Sequence, residues 1–376
     1  MIKNKITSGA GIAIICYHAF LLVSLPVYLY YNPPGLSLVL VSIALFFATG
    51  IGITAGYHRY YSHKAYKMKS IPEAVLLFFG TMATQGSALR WSYDHRKHHA
   101  FVDTDKDPYS IKKGFWYAHM WWLMDESPEI EPKVVSDLLK NKMVAFQHRH
   151  YYKLMVFTNI LAFLVTGWAL GDFLGAFFIT LWVRLLTLHH CTWFINSLAH
   201  TWGSKSFSKE HSAVDNFLIS LLTFGEGYHN YHHTFANDYR NGIRWYNFDP
   251  TKWLIWALHK TRLAWDLKKV DFFTVQKRLV LEDAQNMKEQ IKELMYVKKE
   301  ILEQKVQEMS DNISAQIVEF QKLMNEYKAC KYEQVEKETL KELRLEIKRM
   351  KKSLKKDWQD WIILSQQIMD LKPLMV

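Results

Sequence analysis

Four apolar segments constrain the fold of this chain more than any other feature of its sequence. They come in two pairs, at residues 11–31 and 36–55 and again at residues 154–170 and 173–189. A helix of about 20 apolar residues is long enough to cross the hydrocarbon core of a bilayer. Short breaks separate the members of each pair, so each pair predicts two consecutive crossings. The sequence therefore predicts an all-α membrane protein with four transmembrane helices.

The order of these spans predicts which side of the membrane each polar stretch faces. Two spans precede residues 56–153 and two more precede residues 190–376, which places both stretches and both termini on one side. That side is rich in Lys and Arg, whereas the opposite loops at 31–35 and 171–172 contain neither. Short loops rich in basic residues face the cytoplasm, so this side is predicted to be cytoplasmic. The apolar part of segment 71–89 is only about ten residues long, and we interpret it as a membrane-surface helix.

Nine of the 17 histidines stand in four short clusters on the predicted cytoplasmic side. They are His58, His63, His95, His98, His99, His200, His229, His232 and His233. Residues three and four apart share a helix face, so clusters 95–99 and 229–233 can each direct three imidazoles to one place. The first cluster fits less well, because five residues turn a regular helix by about 140°. Nine imidazoles exceed the needs of a single ion, so the sequence predicts two metal ions.

Other interpretations of the histidines compete with a metal site. A lone histidine on an apolar face is usually a core residue, and the remaining eight histidines are assigned to that role. Among them, the adjacent pair at 189–190 is predicted to lie at the membrane interface. A histidine-rich metal transporter is the alternative that is not an enzyme. Transporters place their ligands inside the spans near the bilayer midplane, whereas the four clusters here flank the predicted spans.

Four stretches of this sequence resemble the membrane-bound fatty acyl desaturases of the stearoyl-CoA Δ9 type. They are GITAGYHR at 52–59, DHRKHH at 94–99, NSLAH at 196–200 and GEGYHNYHH at 225–233. Their order and spacing also agree with that family over residues 52–267. The resemblance implies four spans capped by a cytosolic helical domain around a narrow, kinked acyl tunnel. It also implies that the nine histidines hold two iron ions, with Asn196 approaching one of them through a water.

The resemblance implies an enzyme that uses O₂ and two electrons to introduce a cis double bond, at Δ9, into a long saturated acyl-CoA. An acyl-lipid desaturase and a fatty-acid or sterol hydroxylase remain alternatives, because they share the histidine clusters. The electrons are expected from a separate protein, either cytochrome b5-like or a ferredoxin with its reductase. This expectation rests on the lack of a His-Pro-Gly-Gly or CxxC motif in the sequence.

Several residues beside the clusters are candidates for substrate binding or for orienting the imidazoles. The candidate substrate contacts are Trp91, Asp94, Arg96, Lys112, Lys113 and Trp193. The tryptophans could line an acyl channel, and the basic residues could bind the phosphates of CoA or anionic lipid headgroups rather than nucleic acid. The carboxylates that could orient imidazoles are Asp94, Asp103, Asp107 and Glu226. Tyr93 stands where the animal enzymes have Arg, which leaves acyl-lipid substrates open.

The composition changes near residue 273, where the tryptophan-rich part ends and a Lys/Glu-rich pattern begins. Apolar residues then recur at heptad spacing, at Leu340, Leu343, Ile347, Met350, Leu354 and Trp361. This pattern predicts long helices that form a helical hairpin or coiled coil. We therefore predict two domains, a membrane domain at 1–273 and a helical extension at 274–376. Self-association through the extension and attachment to the membrane surface are both left open.

Overall fold

The computed structural model describes residues 8–294, 298–333 and 337–371. The chain divides into two compact units. The first contains residues 1–205 and 210–269, and the second contains residues 206–209 and 270–376. Nearly all regular structure in the described residues is helical, as predicted. The exception is a two-stranded antiparallel sheet in the first unit, β1 (Lys67–Met68) and β2 (Ala264–Trp265), in which Lys67 pairs with Trp265.

The α-helices of the first unit follow in chain order. They are α1 (Gly9–Tyr31), α2 (Leu36–Ile51), α3 (Ser70–Met82), α4 (Ala88–Phe101), α5 (Phe115–His119), α6 (Ser136–Lys140), α7 (Lys142–Arg149), α8 (Tyr151–Leu170), α9 (Phe173–Gly175), α10 (Arg184–Ser197), α11 (Phe217–Leu222), α12 (His229–Thr234) and α13 (Pro250–Lys260). Two π-helical segments, Gly52–Ser62 and Ala176–Val183, continue α2 and precede α10. A 3₁₀ turn, Leu198–His200, extends α10.

Within the described residues, four continuous helical stretches are long and apolar enough to cross a membrane, in agreement with the predicted four spans. They are Gly9–Tyr31, Leu36–Ser62, Tyr151–Leu170 and Phe173–His200. The second and fourth stretches run well past the predicted ends at 55 and 189, because π-helical and 3₁₀ turns continue them. Histidines of the first and third clusters therefore lie on the same continuous helices as the spans. Helix α3 has only 13 residues, too few to cross a bilayer.

The breaks between paired spans have clear local causes. Helix α8 ends at Gly171, whose φ of +66° is left-handed and suits a residue without a Cβ. The carboxylate of Asp172 then accepts a hydrogen bond from the amide of Gly175 at 2.7 Å and caps the next helix. In the first pair, the Asn-Pro-Pro-Gly sequence after Tyr31 cannot continue a helix. Both breaks let one candidate span follow the other within a few residues.

The core of the first unit lies around the π-helical segment Gly52–Ser62. Ile53, Tyr57 and Tyr61 of this segment are buried and pack with residues of α3, α4 and α10. Helix α3 approaches the segment so closely that a Cβ on Gly52 would lie 2.5 Å from the amide nitrogen of Gly80. Glycine at position 52 is therefore required for this packing, which fixes the backbone that carries the first histidine cluster.

The second unit is also built from α-helices. It consists of α14 (Phe272–Glu293), α15 (Lys299–Tyr332) and α16 (Lys337–Met369), together with the segment Ser206–Lys209. Apolar side chains from all three helices form a common core, with Met287, Ile313 and Trp361 almost fully buried. The remaining faces are rich in Lys and Glu, so the core is a narrow stripe along each helix.

Candidate metal centre

The π-helical segment resolves the unfavourable spacing in the first histidine cluster. The amide of His63 donates to the carbonyl of His58 at 3.1 Å, a hydrogen bond between residues five apart. Such a bond defines a π turn, in which residues five apart lie almost above one another. The two imidazole rings are consequently 4.8 Å apart between centroids. The expectation from regular helix geometry, that these side chains diverge, is wrong for this backbone.

Five buried or half-buried histidines form the first group of converging side chains. They are His58, His63, His95, His99 and His232, and each offers a ring nitrogen within 4.8 Å of the others. The Nε2 atoms of His63 and His95 are 2.8 Å apart. The Nε2 atom of His232 lies 3.0 Å from that of His58 and 3.0 Å from that of His99. This donor set can surround one metal ion.

The other four histidines form a second group. They are His98, His200, His229 and His233, again with one ring nitrogen each within 4.8 Å. The Nε2 atom of His229 lies 3.1 Å from those of both His200 and His233. Each three-histidine cluster is thus divided between the groups. The two members that are four residues apart lie in the same group, whereas the third member lies in the other group. The sequence predicted that each cluster would serve one place, and the division was not foreseen.

Two carboxylates fix the orientation of one imidazole in each group. The Nδ1 atom of His58 lies 2.9 Å from Glu226, and that of His98 lies 2.9 Å from Asp107. An ionised carboxylate only accepts hydrogen bonds, so Nδ1 carries the proton in both rings and Nε2 presents a lone pair to its group. Lone pairs that converge at about 3 Å without protons between them repel each other unless a cation lies among them. The residues therefore fit a pair of metal ions.

A third imidazole is oriented through a hydroxyl group. The Oγ atom of Ser212 lies 2.5 Å from a carboxylate oxygen of Asp103 and 2.6 Å from Nδ1 of His200. Because the carboxylate can only accept, the hydroxyl donates to Asp103 and accepts from Nδ1–H of His200. The Nε2 lone pair of His200 is then free to face the second group. Asp103 was a candidate from sequence, whereas Ser212 carries no sequence signal and was missed.

Glu226 is held in its ionised form by a buried charge network. Burial alone would raise its pKa, but the adjacent His58 and Arg59 side chains outweigh burial and lower the pKa to about 2. The Arg59 guanidinium lies 2.8 Å from Glu226 and 3.0 Å from Asp249, and all three side chains are almost fully buried. Asn241 also donates to Glu226 at 2.6 Å. Arg59, Asn241 and Asp249 are further residues that the sequence motifs did not identify as part of the centre.

Burial also keeps the imidazoles neutral. It holds the pKa values of His63, His95, His99, His229 and His232 well below the usual range, and neighbouring imidazoles add to this effect. A neutral imidazole keeps the lone pair that a metal ion requires. Protons therefore do not compete with a metal ion at these nitrogens near neutral pH.

The profile of the fatty acid desaturase family matches residues 36–267, more than half of the chain. The chain belongs to the fatty acid desaturase family. It is 43% identical over 270 residues to a probable acyl-CoA desaturase of Schizosaccharomyces pombe, covering 70% of this chain and 56% of that protein. It is 37% identical over 254 residues to acyl-CoA desaturase 1 of Saccharomyces cerevisiae, covering 67% of this chain and 50% of that protein. The chain thus spans about half the length of these two relatives.

A relative that is named for a different substrate is similar as well. The chain is 32% identical over 234 residues to an sn-1 stearoyl-lipid 9-desaturase of Anabaena variabilis, covering 61% of this chain and 84% of that protein. Members of the desaturase family that match this chain are thus named for acyl-CoA or for acyl-lipid substrates. Family membership by itself leaves both carriers open.

Within this member of the desaturase family, the six candidate substrate residues occupy very different surroundings. Trp91 stacks on His95 of the first group, with ring centroids 4.9 Å apart. Lys112 and Lys113 are exposed on a short 3₁₀ turn. Asp94 accepts two hydrogen bonds from Arg90, at 2.6 and 2.8 Å, so it orients a guanidinium rather than an imidazole. These placements separate the surface lysines from the residues beside the histidine groups.

Arg96 has a structural role that leaves it little capacity for substrate phosphates. Its guanidinium binds both carboxylate oxygens of Asp137, at 2.7 and 2.9 Å. It also donates to the carbonyls of Tyr61, Ser62 and Val134. These five hydrogen bonds use every N–H group of the side chain. We therefore leave Arg96 out of the set of candidate CoA contacts.

Trp193 lies outside the two groups and is surrounded by other histidines. Its ring lies 5.2–6.2 Å from those of His18, His119, His189 and His190. His190 is hydrogen bonded to His18 and to His119, at 3.0 Å each. These histidines connect α1, α5 and α10, so the pair at 189–190 is part of a packed interior network. Asn196 is half-buried on α10, one helical turn before His200.

Proposed function

We propose that this chain is an integral membrane acyl desaturase with two iron ions. It uses O₂, two electrons and two protons to convert a saturated acyl chain into a cis-unsaturated one, with two molecules of water as the other product. The observation that carries this proposal is the division of nine buried or half-buried histidines into groups of five and four. Donor sets of this size suit redox-active iron, whereas a hydrolytic zinc site uses three or four ligands.

The proposed roles of the residues follow from their positions. All nine histidines would hold iron, and Asn196 would approach the second ion through a water, as the family resemblance implies. Bound iron would supply the oxidising power needed to remove hydrogen from two unactivated methylene groups. Through their hydrogen bonds, Glu226, Asp107 and Ser212 would hold the tautomers of three of these ligands. Trp91 covers His95 and helps to exclude water from the first group.

For the substrate, we propose a long saturated acyl-CoA with the double bond introduced at Δ9. The names of the two yeast relatives and the exposed Lys112 and Lys113 support this choice, because lysines can bind the phosphates of CoA. An acyl-lipid substrate is the second candidate, supported by the cyanobacterial relative. The active site would face the cytoplasm, where a separate electron-donor protein can reach it.

The proposal predicts two irons per chain and a defined product. Expression in a host that lacks its own desaturase, followed by mass spectrometry of the fatty acids, should show a monounsaturated acyl chain and locate its double bond. His98→Ala should abolish this product while the protein still folds into the membrane, because the spans do not depend on the centre. His150→Ala, which changes a half-buried histidine beside Phe146, is the matched control. A hydroxylated product, or a single ion per chain, would contradict the proposal.

A second experiment separates the two carriers. The double reversal Lys112→Glu with Lys113→Glu should raise KM for acyl-CoA, with a smaller effect on kcat. The reason is that these contacts would bind the substrate and the transition state equally. Reversal of Lys260 and Lys268, two basic residues elsewhere in the first unit, serves as the control. Unchanged kinetics together with activity on intact phospholipid would favour the acyl-lipid alternative.

A further inference from the structure

An open apolar groove lies on the surface of the first unit, between α3, α7 and the first turns of α8. Its volume is about 180 Å³, below the roughly 300–1,000 Å³ of most small-molecule pockets, which favours a slender occupant. Six apolar side chains form much of its wall: Ala74, Leu77, Phe78, Met143, Phe146 and Leu154. Two of them, Ala74 and Phe146, are exposed, so the described residues leave this apolar surface uncovered.

The three polar residues of the lining offer nothing to a polar ligand, because their hydrogen-bonding groups are already used. The hydroxyls of Thr81 and Thr158 each donate to a carbonyl of their own helix, at 2.7 and 3.1 Å. The side-chain amide of Gln147 donates to Tyr57 at 2.8 Å and to Thr81 at 3.0 Å. Its oxygen accepts from the backbone of Ala88 at 3.0 Å. These bonds fix the walls of the groove and leave it suited to an apolar occupant.

The groove opens where the surface of the bilayer is expected. Helix α8 is one of the four candidate spans, and its groove-lining residues lie near its beginning. Helix α3 exposes Ile71 and Val75, which are four residues apart and so form an apolar stripe on one helix face. A short helix with an exposed apolar stripe lies in the membrane interface rather than across the bilayer. The groove is therefore at the level where lipid acyl chains meet their headgroups.

The chain around the groove is strongly basic. Residues 138–171 contain four basic residues and no Asp or Glu. Arg149 lies three residues beyond a groove-lining residue of α7, and Lys153 directly precedes a groove-lining residue of α8. Both basic side chains are exposed. The carboxylate of Glu73 on α3 is buried and accepts a hydrogen bond from Asn141, so its charge is not presented at the surface.

We propose that this α3–α8 groove holds one acyl chain of an anionic phospholipid, whose headgroup lies on Arg149 and Lys153. The apolar lining selects an alkyl chain, and the two basic side chains select a negative headgroup. A neutral lipid would occupy the groove without attraction to these charges and would bind more weakly. This inference goes beyond the proposed desaturase activity and depends only on the membrane location.

The first test compares two lipids that have identical acyl chains. The full-length protein in mild detergent is titrated with phosphatidylserine or phosphatidylcholine, and native mass spectrometry counts the bound lipids. The wild type should retain one phosphatidylserine at least about tenfold more tightly than phosphatidylcholine, because each basic residue near an anionic headgroup contributes about fivefold.

Charge-reversal variants show whether the two basic residues cause this preference. Arg149→Glu with Lys153→Glu should abolish it. Lys260→Glu with Lys268→Glu is the matched control in the first unit and should preserve it. No preference in the wild type, or an equal preference in the two double variants, would overturn the proposal.

A second test addresses the groove itself. Ala74→Phe places a large side chain in the groove and should weaken phosphatidylserine retention by at least about tenfold, the effect of displacing two methylene groups at about fourfold each. Val75→Phe is the matched control, because Val75 is exposed on the same helix but is not part of the groove lining. Equal retention in these two variants would show that the lipid binds elsewhere.

Two further outcomes would assign the groove to another occupant. Displacement of the bound phosphatidylserine by acyl-CoA would make the groove part of the substrate path. A dimer that dissociates on Ala74→Phe would show that a second copy of the chain covers the groove. Either result would overturn the lipid site. These measurements need neither iron nor turnover, so a failed lipid site would leave the proposed function intact, and a protein without activity could still bind the lipid.

Discussion

At the scale of single residues, the positions of a few protons decide whether the nine imidazoles can bind metal. Asp107 and Glu226 each contact Nδ1 of a histidine, and Ser212 contacts a third. Each contact leaves Nε2 as a lone pair aimed at the other imidazoles. Glu226 differs from the others because it also neutralises the buried Arg59. The charge of Glu226 therefore orients His58 and also contributes to the stability of the first unit.

Replacing Glu226 by Gln should weaken the first histidine group. The amide cannot balance the charge of Arg59, and it can donate a proton toward His58 and so favour the wrong tautomer. We expect a loss of metal affinity of at least about tenfold, measured as iron per chain after dialysis against a graded chelator. Glu131→Gln is the control, because Glu131 pairs with Lys97 on the exposed surface. Equal iron content in the two variants would show that the carboxylate charge at 226 is not needed.

At the scale of secondary structure, the π-helical segment Gly52–Ser62 is the element that assembles the first group. It extends α2 beyond the predicted end of the span and brings residues five apart onto one face. Its backbone packs directly against α3, where Gly52 meets Gly80. The position of His58 and His63 thus depends on a close contact between two helices.

Gly52→Ala should separate these helices. A Cβ at position 52 would lie 2.5 Å from the amide nitrogen of Gly80, and a backbone atom cannot move aside as a flexible side chain can. We expect a destabilisation of about 1–3 kcal/mol, the usual scale for overpacking a core. The measurement is the thermal unfolding midpoint in detergent, together with iron content. Gly35→Ala, where an added Cβ meets nothing within 4 Å, should be close to neutral.

At the scale of the whole molecule, the order of the four candidate spans predicts that the histidine groups lie on one side of the membrane. The even number of spans before each cluster, together with the basic residues of 56–153, predicts that this side is cytoplasmic. This orientation would give the centre access to a soluble cofactor supply and to an electron donor.

Cysteine labelling in sealed microsomes can measure the orientation. With Cys16 and the partly exposed Cys330 replaced by Ser, Lys113→Cys should react with a membrane-impermeant maleimide without detergent. Asn32→Cys, in the loop between the first two spans, should react only after the membrane is opened. The physical reason is that a charged reagent does not cross the bilayer. The reverse pattern would place the histidine groups on the lumenal side and would contradict the proposed location.

The sequence by itself determined the features that depend on local physics. Hydrophobic segments of sufficient length specify spans, because each buried residue contributes independently of distant partners. Likewise, the spacing of histidines within 95–99 and 229–233 specifies which side chains share a helix face. The resemblance of four short stretches to a known family then indicated the type of centre, and the family match at 36–267 confirms membership.

Only the tertiary structure decided how these parts combine. The division of nine histidines into five and four depends on helices that are distant in sequence meeting at defined angles. The π turn at His58–His63 persists because packing against α3 supports a backbone that local propensity does not favour. Ser212 became visible as a partner of His200 only once the loop had folded. The assignment of 206–209 to the second unit has the same cause, since contacts between distant segments leave no periodic signal in the sequence.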